Sequence, residues 1–508
     1  MFLIIVPLLL LLTAAAAAYV SWKQLSLPRL RLALAAAAAL SWLVYLLLPE
    51  GAGFSGFFAG QAGEASLLPE VELIVRAATR PLGLAVPAVL FLVSLERSFS
   101  LSQAAWAYAL GAGSLFALLA GNTYSLLMGW ALIELIWLGY CFFHQREEQR
   151  STYLNMPFAV RLLGPGLLIY GGLIAVNSGA EGLFSSSRAD FLPLAAAASV
   201  FRWGIWLPTG FLEGTRKHHS FHAVLAALPS GVSFSLIAQL SEVGFSWSAL
   251  EPGGLILSVL LLLTGAVWAA GKRTGEPWKL FFFGLLSLSY LGAGYQLPSA
   301  SISFGLGMLL SGLLLFFPGR AVPLGWVRVG VIGLGLLPLP FFPLAGGAVL
   351  FTRGWVGMLS ALGMGFLLAG AGQRLLRAPV AAFPEKSLQG LNIIPAWLLL
   401  LITQITAAIW LLPNSPEAIL PSWDWRFLIP LAAGAALTAA IKHRKLNRNL
   451  PVLTGLWDDL YSSLYKMGKF LESLVGFILG LLEGSGGLIW TLLIGFLILT
   501  LVNLQGGR

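Results

Sequence analysis

This chain has a single cysteine, Cys141, in 508 residues. One thiol cannot build a disulfide framework, an iron–sulfur set or a cysteine-rich zinc site. Charge is almost as scarce. Only 10% of residues are charged, where soluble domains carry roughly 25%. No glycine-rich nucleotide loop follows a strand, and no P-loop lysine motif occurs. No ATP, flavin or nicotinamide site is expected, no other cofactor, and no redox or hydrolytic centre. Alternating apolar and polar residues, the mark of a membrane β-barrel, are missing as well. The formal charge of +9 does not indicate a nucleic-acid partner, because no basic patch lies on a water-facing fold.

Apolar residues are abundant. They make up 58% of the chain, and mean hydropathy is +0.86. A bilayer core takes about 20 apolar residues per helix, and such runs recur about sixteen times. They centre near residues 10, 38, 88, 110, 132, 168, 200, 231, 260, 287, 309, 334, 361, 402, 432 and 495. The expected fold is an all-α polytopic membrane protein of about sixteen transmembrane helices, some broken, with an amphipathic lateral helix before the last span. The first run reads as a span: no basic residue precedes it, and it is too long for a signal h-region. The expected organisation is N-terminal helices over 1–118, a central core over 119–380 and further helices over 381–441. A basic loop and surface helix over 442–484 and a final span over 485–508 complete it.

Basic residues alternate between loops. Lys23, Arg29 and Arg31 share a side with Arg146 and Arg150, then Arg216 and Lys217, then Lys272, Arg273 and Lys279. Arg374, Arg377 and Lys386 follow, then Lys442, Arg444, Lys445 and Arg448. The intervening loops carry Glu64, Glu70, Glu72, Glu242, Glu251, Glu417 and Asp424. The positive-inside rule places the basic set in the cytoplasm and both termini outside. The expected location is a bacterial plasma membrane or a thylakoid-type membrane.

Between Leu456 and Leu482, Leu456, Leu460, Leu464, Met467, Leu471, Leu474 and Ile478 recur at helical spacing. Asp459, Ser463, Lys466, Lys469 and Ser473 fall mainly on the opposite side. This helix is expected along the membrane surface, or packed on the bundle from the cytoplasm. Prolines interrupt other runs: Pro193 and Pro208 bracket one, Pro229 sits in the next, and Pro338, Pro340 and Pro343 crowd a third. Broken helices at membrane depth survive where protein or a water-lined cavity satisfies the freed carbonyls.

One residue stands out chemically. Glu134 lies in GWALIELIWLGY, flanked on both sides by apolar side chains. An ionised carboxylate there costs at least about 2.5–3.5 kcal/mol unless compensated, and such residues mark ion paths or buried pairs.

WLPTGFLEGTRKHHSFHAVLAALPSG, GLLPLPFFPLAGGAVLFTR, GNTYSLLMGWALIEL and PWKLFFFGLLSLSYLGAGY are stretches that resemble the antiporter-like membrane subunits of respiratory complex I and of multisubunit cation/proton antiporters. WLPTGFLEGTRKHHSFHAVLAALPSG, Trp206 to Gly231, is similar to the family's Trp-Leu-Pro, Glu-Gly and His-Ala pattern through Trp206, Leu207, Pro208, Glu213, Gly214, His222 and Ala223. Thr215, Arg216 and Lys217 replace its usual Pro-Thr-Pro turn. GLLPLPFFPLAGGAVLFTR resembles the proline-rich span, GNTYSLLMGWALIEL the Gly-Trp-Glu helix, and PWKLFFFGLLSLSYLGAGY a further span. Together these cover about residues 120–380. The terminal order of spans, lateral helix and final span is similar to the family's longest members, with a shorter lateral helix.

The resemblance implies a row of charges at mid-membrane, and here each is lost or displaced. The glutamate position reads Ala131, with Glu134 three residues later and expected on roughly the same face. The first lysine position reads Ala197, with Arg202 five residues on; the central one reads Ser311; the last reads Leu350, with Arg353 beyond it. Arginine keeps its proton, so it cannot relay one. Glu134 and Arg202 are expected to pair across adjacent helices. Otherwise Glu134 faces a partner subunit and Arg202 snorkels to the interface. His218, His219 and His222 have a spacing that seats metals, but no clear further ligand completes a site and Arg216 and Lys217 repel a cation. No metal is expected, and His222 is read as a channel-lining group. Lys279 matches the family's lysine at the start of its span, at the cytoplasmic interface.

Candidate proton- or ion-path residues are therefore Glu134, Arg202, His222, Glu213, Lys279 and Arg353. The resemblance implies a subunit of an energy-converting assembly, possible in a proton-translocating NADH:quinone oxidoreductase-like complex, with a degenerate charge relay. Partners would be other membrane subunits, the lipid bilayer, and protons or monovalent cations. A non-conducting docking subunit and a membrane partner of an inorganic-carbon uptake system are the alternatives.

Overall fold

The computed structural model describes residues 2–23, 29–55, 71–96, 98–144, 161, 163–172, 174, 192–202, 219–246, 251–270, 277–317, 325–339, 342–377, 394–411 and 425–442, together with 459, 462, 466, 469–470 and 473. Glu213, the Trp206–Lys217 motif, most of the lateral helix and the final span lie outside them.

The described chain is a helical bundle. In order it comprises α1 (Phe2–Trp22), α2 (Leu30–Leu47), α3 (Arg80–Leu95), α4 (Leu101–Leu118), α5 (Thr123–His144), α6 (163–172), α7 (Leu192–Arg202) and α8 (His219–Val243). Then come α9 (Glu251–Ala269), α10 (Pro277–Gly294), α11 (Pro298–Leu306), α12 (Gly325–Leu336), α13 (Ala345–Ala348), α14 (Gly354–Arg377), α15 (Ile394–Leu411) and α16 (Ile429–Lys442). Among the described residues, seven helices are long and apolar enough to cross a membrane, and several more are shorter and apolar. This is an all-α polytopic membrane protein. Its only described strands, β1 (Gly53–Ser55) and β2 (Glu72–Ile74), pair antiparallel in a short hairpin. Hydrogen bonds from Ile74 N–H to the Leu119 carbonyl (2.6 Å) and from Gly121 N–H to the Glu72 carbonyl (2.7 Å) tie that hairpin to the α4–α5 turn.

Burial sorts the helices. The windows over Phe221–Val243 and Pro298–Phe316 are 94% buried, whereas those in α1, α2 and α5 are 39% buried. α8 and α11 therefore form the centre, with α10 against both. α1 packs on α4, α2 on α3, and α14 on α9 and α16. The outer helices turn large apolar side chains outward, Leu12, Trp22 and Leu47 among them, as a lipid-facing surface requires.

Local chemistry fixes the helix ends. Ser100 Oγ accepts from Gln103 N–H at 3.1 Å, and Gln103 Oε1 accepts from Ser100 N–H at 2.8 Å. This capping box satisfies donors that the first turn of α4 leaves free. Helix C-termini are instead closed by arginines from elsewhere. Arg31 donates to the Glu96 carbonyl (2.9 Å) and to that of Phe99, beyond α3. Arg80 donates to Leu46 and Leu48 at the end of α2 (2.9 and 2.7 Å). Arg328 donates to Leu314 and Phe317 (3.1 and 2.9 Å), and Arg426 to Thr352 (3.2 Å). In lipid no water serves the last carbonyls of a helix, and a cation there also complements the dipole.

The breaks differ from the proline reading in one place. α8 runs through Pro229 without interruption, and the hydroxyl of Ser230 bonds the Ala226 carbonyl at 2.7 Å. α12 does end before the Pro338–Pro343 cluster, and helix resumes only at Ala345. A further break carries no proline: α11 passes into a π-helical turn, Gly307–Gly312, and then a 3₁₀ turn, Leu313–Phe316. Of the lateral helix, Asp459, Ser462, Lys466, Lys469, Phe470 and Ser473 are described. All are helical, and all but the half-buried Lys469 are exposed.

Candidate functional site

α5 has two faces. Met128, Ala131 and Leu135 are exposed, while Trp130, Glu134 and Cys141 are buried. Three residues turn a helix by about 300°, so Glu134 lies about 60° from Ala131. That is enough to move it off the outward stripe, and the expectation of a shared face is corrected. Glu134 is on the buried side of α5, which packs against α4. Gly129 permits this approach: a Cβ there would lie 2.7 Å from Ala117 Cβ and 2.8 Å from its Cα.

Two arginines meet the carboxylate. Arg161 Nε lies 2.9 Å from Glu134 Oε2 and donates to Oε1 at 3.1 Å. Arg202 Nη1 pairs with Oε1. Side-chain exposures are 6% for Glu134, 8% for Arg161 and 0% for Arg202. Each cation also lies over a tryptophan of α5. The Arg161 guanidinium carbon is 4.5 Å from the ring centre of Trp137, and that of Arg202 is 5.5 Å from Trp130. Trp130 and Trp137 stand one turn before and one turn after Glu134. The three side chains thus form a stripe that receives both guanidiniums, by charge in the middle and by ring faces at either end.

Arg202 is held from behind. It ends α7, whose preceding turn is fixed to α10: Tyr290 hydroxyl donates to the Ala196 carbonyl at 2.6 Å and is hydrogen-bonded to the Ser199 hydroxyl. Ala197, at the family's lysine position, is only half-buried. The inward cation is Arg202.

Of the other sequence candidates, His222, Lys279 and Arg353 are described and sit on other elements. His222 is buried in the first turn of α8, beside Phe221, which packs on Phe99 and Tyr140. Lys279 is half-buried in the first turn of α10, with its ammonium 5.7 Å from the ring centre of Trp278. Arg353 is exposed at the junction before α14, while Leu350 is fully buried. Glu213 is outside the described residues. Ser311 is buried in the π-helical turn and accepts a hydrogen bond from Gln404 Nε2 at 2.9 Å. Gln404 also donates to the Val331 carbonyl at 3.2 Å.

Arg161 and Gln404 escape a sequence reading organised around expected charges. A local signal for Arg161 does exist: two tryptophans one turn either side of a membrane glutamate offer two cation-binding ring faces. Nothing local marks Gln404 as the partner of Ser311.

Chemically, the triad is a fixed electrostatic unit. Neither arginine releases its proton, and the Glu134 carboxylate lies between two guanidiniums. The arrangement binds and orients charge.

No family model matches the chain, and no curated protein matches it in sequence. Solved structures do match. A chain of the Mrp complex from Dietzia sp. DQ12-45-1b is similar over 100% of this chain and 63% of its own length, with 16% identity and a TM-score of 0.70. This chain therefore spans under two thirds of that one. A chain of respiratory complex I from Thermus thermophilus, solved with bound NADH, matches 86% of this chain and 99% of its own, at 16% identity and TM-score 0.58. A chain of the membrane-bound sulfane sulfur reductase, an archaeal respiratory membrane complex, matches 97% and 99%, at 13% identity and TM-score 0.57. The chain has the fold of the antiporter-like membrane subunits that its sequence motifs resemble.

Proposed function

We propose that this chain is an antiporter-like membrane subunit of an energy-converting complex, in which proton or monovalent-cation movement is coupled to electron transport or ion exchange carried by partner subunits. The fold supports the general kind, since its solved neighbours are chains of multi-subunit membrane complexes. The carrying observation is the buried ionic cluster of Glu134, Arg161 and Arg202 inside the bundle. A structural subunit has little use for three desolvated charges, and intramembrane ionisable groups mark ion pathways. In this reading residues 119–380 are the working core, the termini face outward, and the charge row is reduced to a locked triad that sets the local field.

Proton flux in vesicles holding the native complex tests this. Glu134→Gln should lower flux at least about tenfold while the complex is still recovered intact. Equal flux in variant and wild type would overturn the assignment of Glu134. Mild-detergent isolation with mass spectrometry identifies the partners: redox subunits or further antiporter-like chains support the reading, and a zinc-dependent carbonic-anhydrase-like partner would replace it with inorganic-carbon uptake.

A second reading, a non-conducting docking subunit, draws on Ser311 and Leu350, both neutral and buried at positions where the family resemblance implies charge. It requires that the wild-type complex show no flux through this chain and come apart without it.

A further inference from the structure

The charges of the Glu134 cluster do not balance. One carboxylate faces two guanidiniums, and all three groups are buried. Arginine cannot discharge itself, so among the described residues one positive charge is left over. Among the described residues, Glu134 is the acid paired with either arginine. An uncompensated buried ion is costly enough that proteins pair it or neutralise it.

The donors are also in surplus. Among the described residues, Arg202 Nε and Nη2 are buried with no hydrogen-bond acceptor, and the same holds for Trp130 Nε1. Both side chains are fully enclosed, at 1% and 0% exposure. They are neighbours, with the guanidinium carbon 5.5 Å from the indole ring centre. Gly164 packs at the same corner: a Cβ there would be 3.0 Å from the Ala198 carbonyl, 3.4 Å from the Trp130 ring and 3.7 Å from the Arg202 backbone nitrogen. A buried amide- or ammonium-type donor without an acceptor is rare in folded proteins. Here several coincide with an excess of positive charge.

We propose that Arg202 and Trp130 form a binding site for one small monovalent anion of chloride size. The anion accepts from the guanidinium and from the indole N–H, and it cancels the charge that Glu134 leaves over. A cation is repelled by the same two arginines. A water molecule accepts the hydrogen bonds but leaves the charge in place, so the two occupants behave differently when the salt is changed.

The test is thermal unfolding of the purified full-length chain as sodium gluconate is exchanged for sodium chloride at constant ionic strength. A ligand bound to the folded state raises the midpoint saturably, so the wild type should gain stability with chloride and equally with bromide. Arg202→Met should abolish the response. Trp130→Phe keeps the ring and removes one donor to a charged acceptor, so half-saturation should need about tenfold more chloride. Glu134→Gln leaves two cations unopposed and should steepen the dependence. A wild-type midpoint that is the same in both salts would mean that water alone serves these donors. A chloride response that survives unchanged in both Arg202→Met and Trp130→Phe would place the ion elsewhere. Either result overturns the proposal. The readout is binding, so it is independent of whether the chain conducts protons.

Discussion

The guanidinium of Arg161 lies 4.5 Å from the ring centre of Trp137 while its Nε sits 2.9 Å from the carboxylate of Glu134, one turn back along α5. Trp137 and Glu134 therefore act as one receptor for a cation delivered by another segment, and Trp130 repeats the arrangement for Arg202. The architecture has an energetic consequence. Removing the acid strands two buried cations, whereas removing Arg202 leaves a neutral one-to-one pair. Glu134→Gln should cost about 3–5 kcal/mol, and Arg202→Met distinctly less. Replacing all three by apolar residues (Glu134→Leu, Arg161→Met and Arg202→Met together) should recover stability to near or above wild type, because desolvation of the charges disappears with them. Thermal midpoints of the purified variants in one detergent check the order. A triple variant less stable than Glu134→Gln would show that the triad stabilises the bundle.

The approach of α5 to α4 depends on Gly129. A methyl group at this position meets Ala117 Cβ, Cα and N at 2.7, 2.8 and 3.0 Å. Two of these atoms are backbone, so the neighbour cannot yield by changing rotamer. Gly129→Ala should destabilise by about 1–3 kcal/mol through overpacking. It should also shift Glu134 relative to both arginines. The check is a lower thermal midpoint together with a weakened response to Glu134→Gln in a double-mutant cycle; additivity of the two changes would separate the glycine from the site.

Helix ends close differently here than in soluble proteins. Arg328 is buried and spans the last carbonyls of the broken α11 segment with one Nη2. Arg328→Met should leave those carbonyls without a donor and cost about 1.5–3 kcal/mol. Arg328→Lys should recover only part of this, since a single ammonium on a shorter head cannot reproduce the guanidinium's reach. Hydrogen exchange confined to residues near 307–317 would localise the effect. Uniform loosening of the whole bundle would contradict a capping role.

Much of the fold was legible because the bilayer imposes one rule on the chain: long apolar runs become helices with their backbone groups satisfied inside them. That rule locates α1, α2, α5, α8, α14 and α15 from composition alone. It does not say which face of a helix turns inward. Ala131 and Glu134 both sit in an apolar run, and only packing against α4 decides that the first is exposed and the second buried. Proline was an incomplete guide to breaks. Pro229 is absorbed within α8, while the π-helical turn at Gly307–Gly312 forms where Gly307 and Gly312 let Leu344 and Phe281 pack against the backbone. The Arg202 half of the site could be read by comparing charges with a known pattern. The Arg161 half required knowing that Arg161, shortly before α6, returns to α5, which no local periodicity reveals.

The remaining expectation concerns how Arg202 is aimed. It is the last residue of α7, and the turn before it is anchored by Tyr290 of α10 through the Ala196 carbonyl at 2.6 Å and the Ser199 hydroxyl. Tyr290→Phe removes the hydroxyl and keeps the ring packing. The loss of stability should be small, about 0.5–1.5 kcal/mol, because the Ser199 hydroxyl still bonds Ala196 at 2.9 Å. Its effect on the site should be larger than its effect on the fold. With α7 free to turn, Arg202 no longer holds one geometry over Trp130, and the coupling between Arg202 and Glu134 in a double-mutant cycle should fall by at least half. Ser199→Ala should lose less of the coupling, because Tyr290 still donates to the Ala196 carbonyl at 2.6 Å, and adding it to Tyr290→Phe should have little further effect on the coupling. Full coupling in the Tyr290→Phe background would mean that Arg202 is aimed by Trp130 and Glu134 alone.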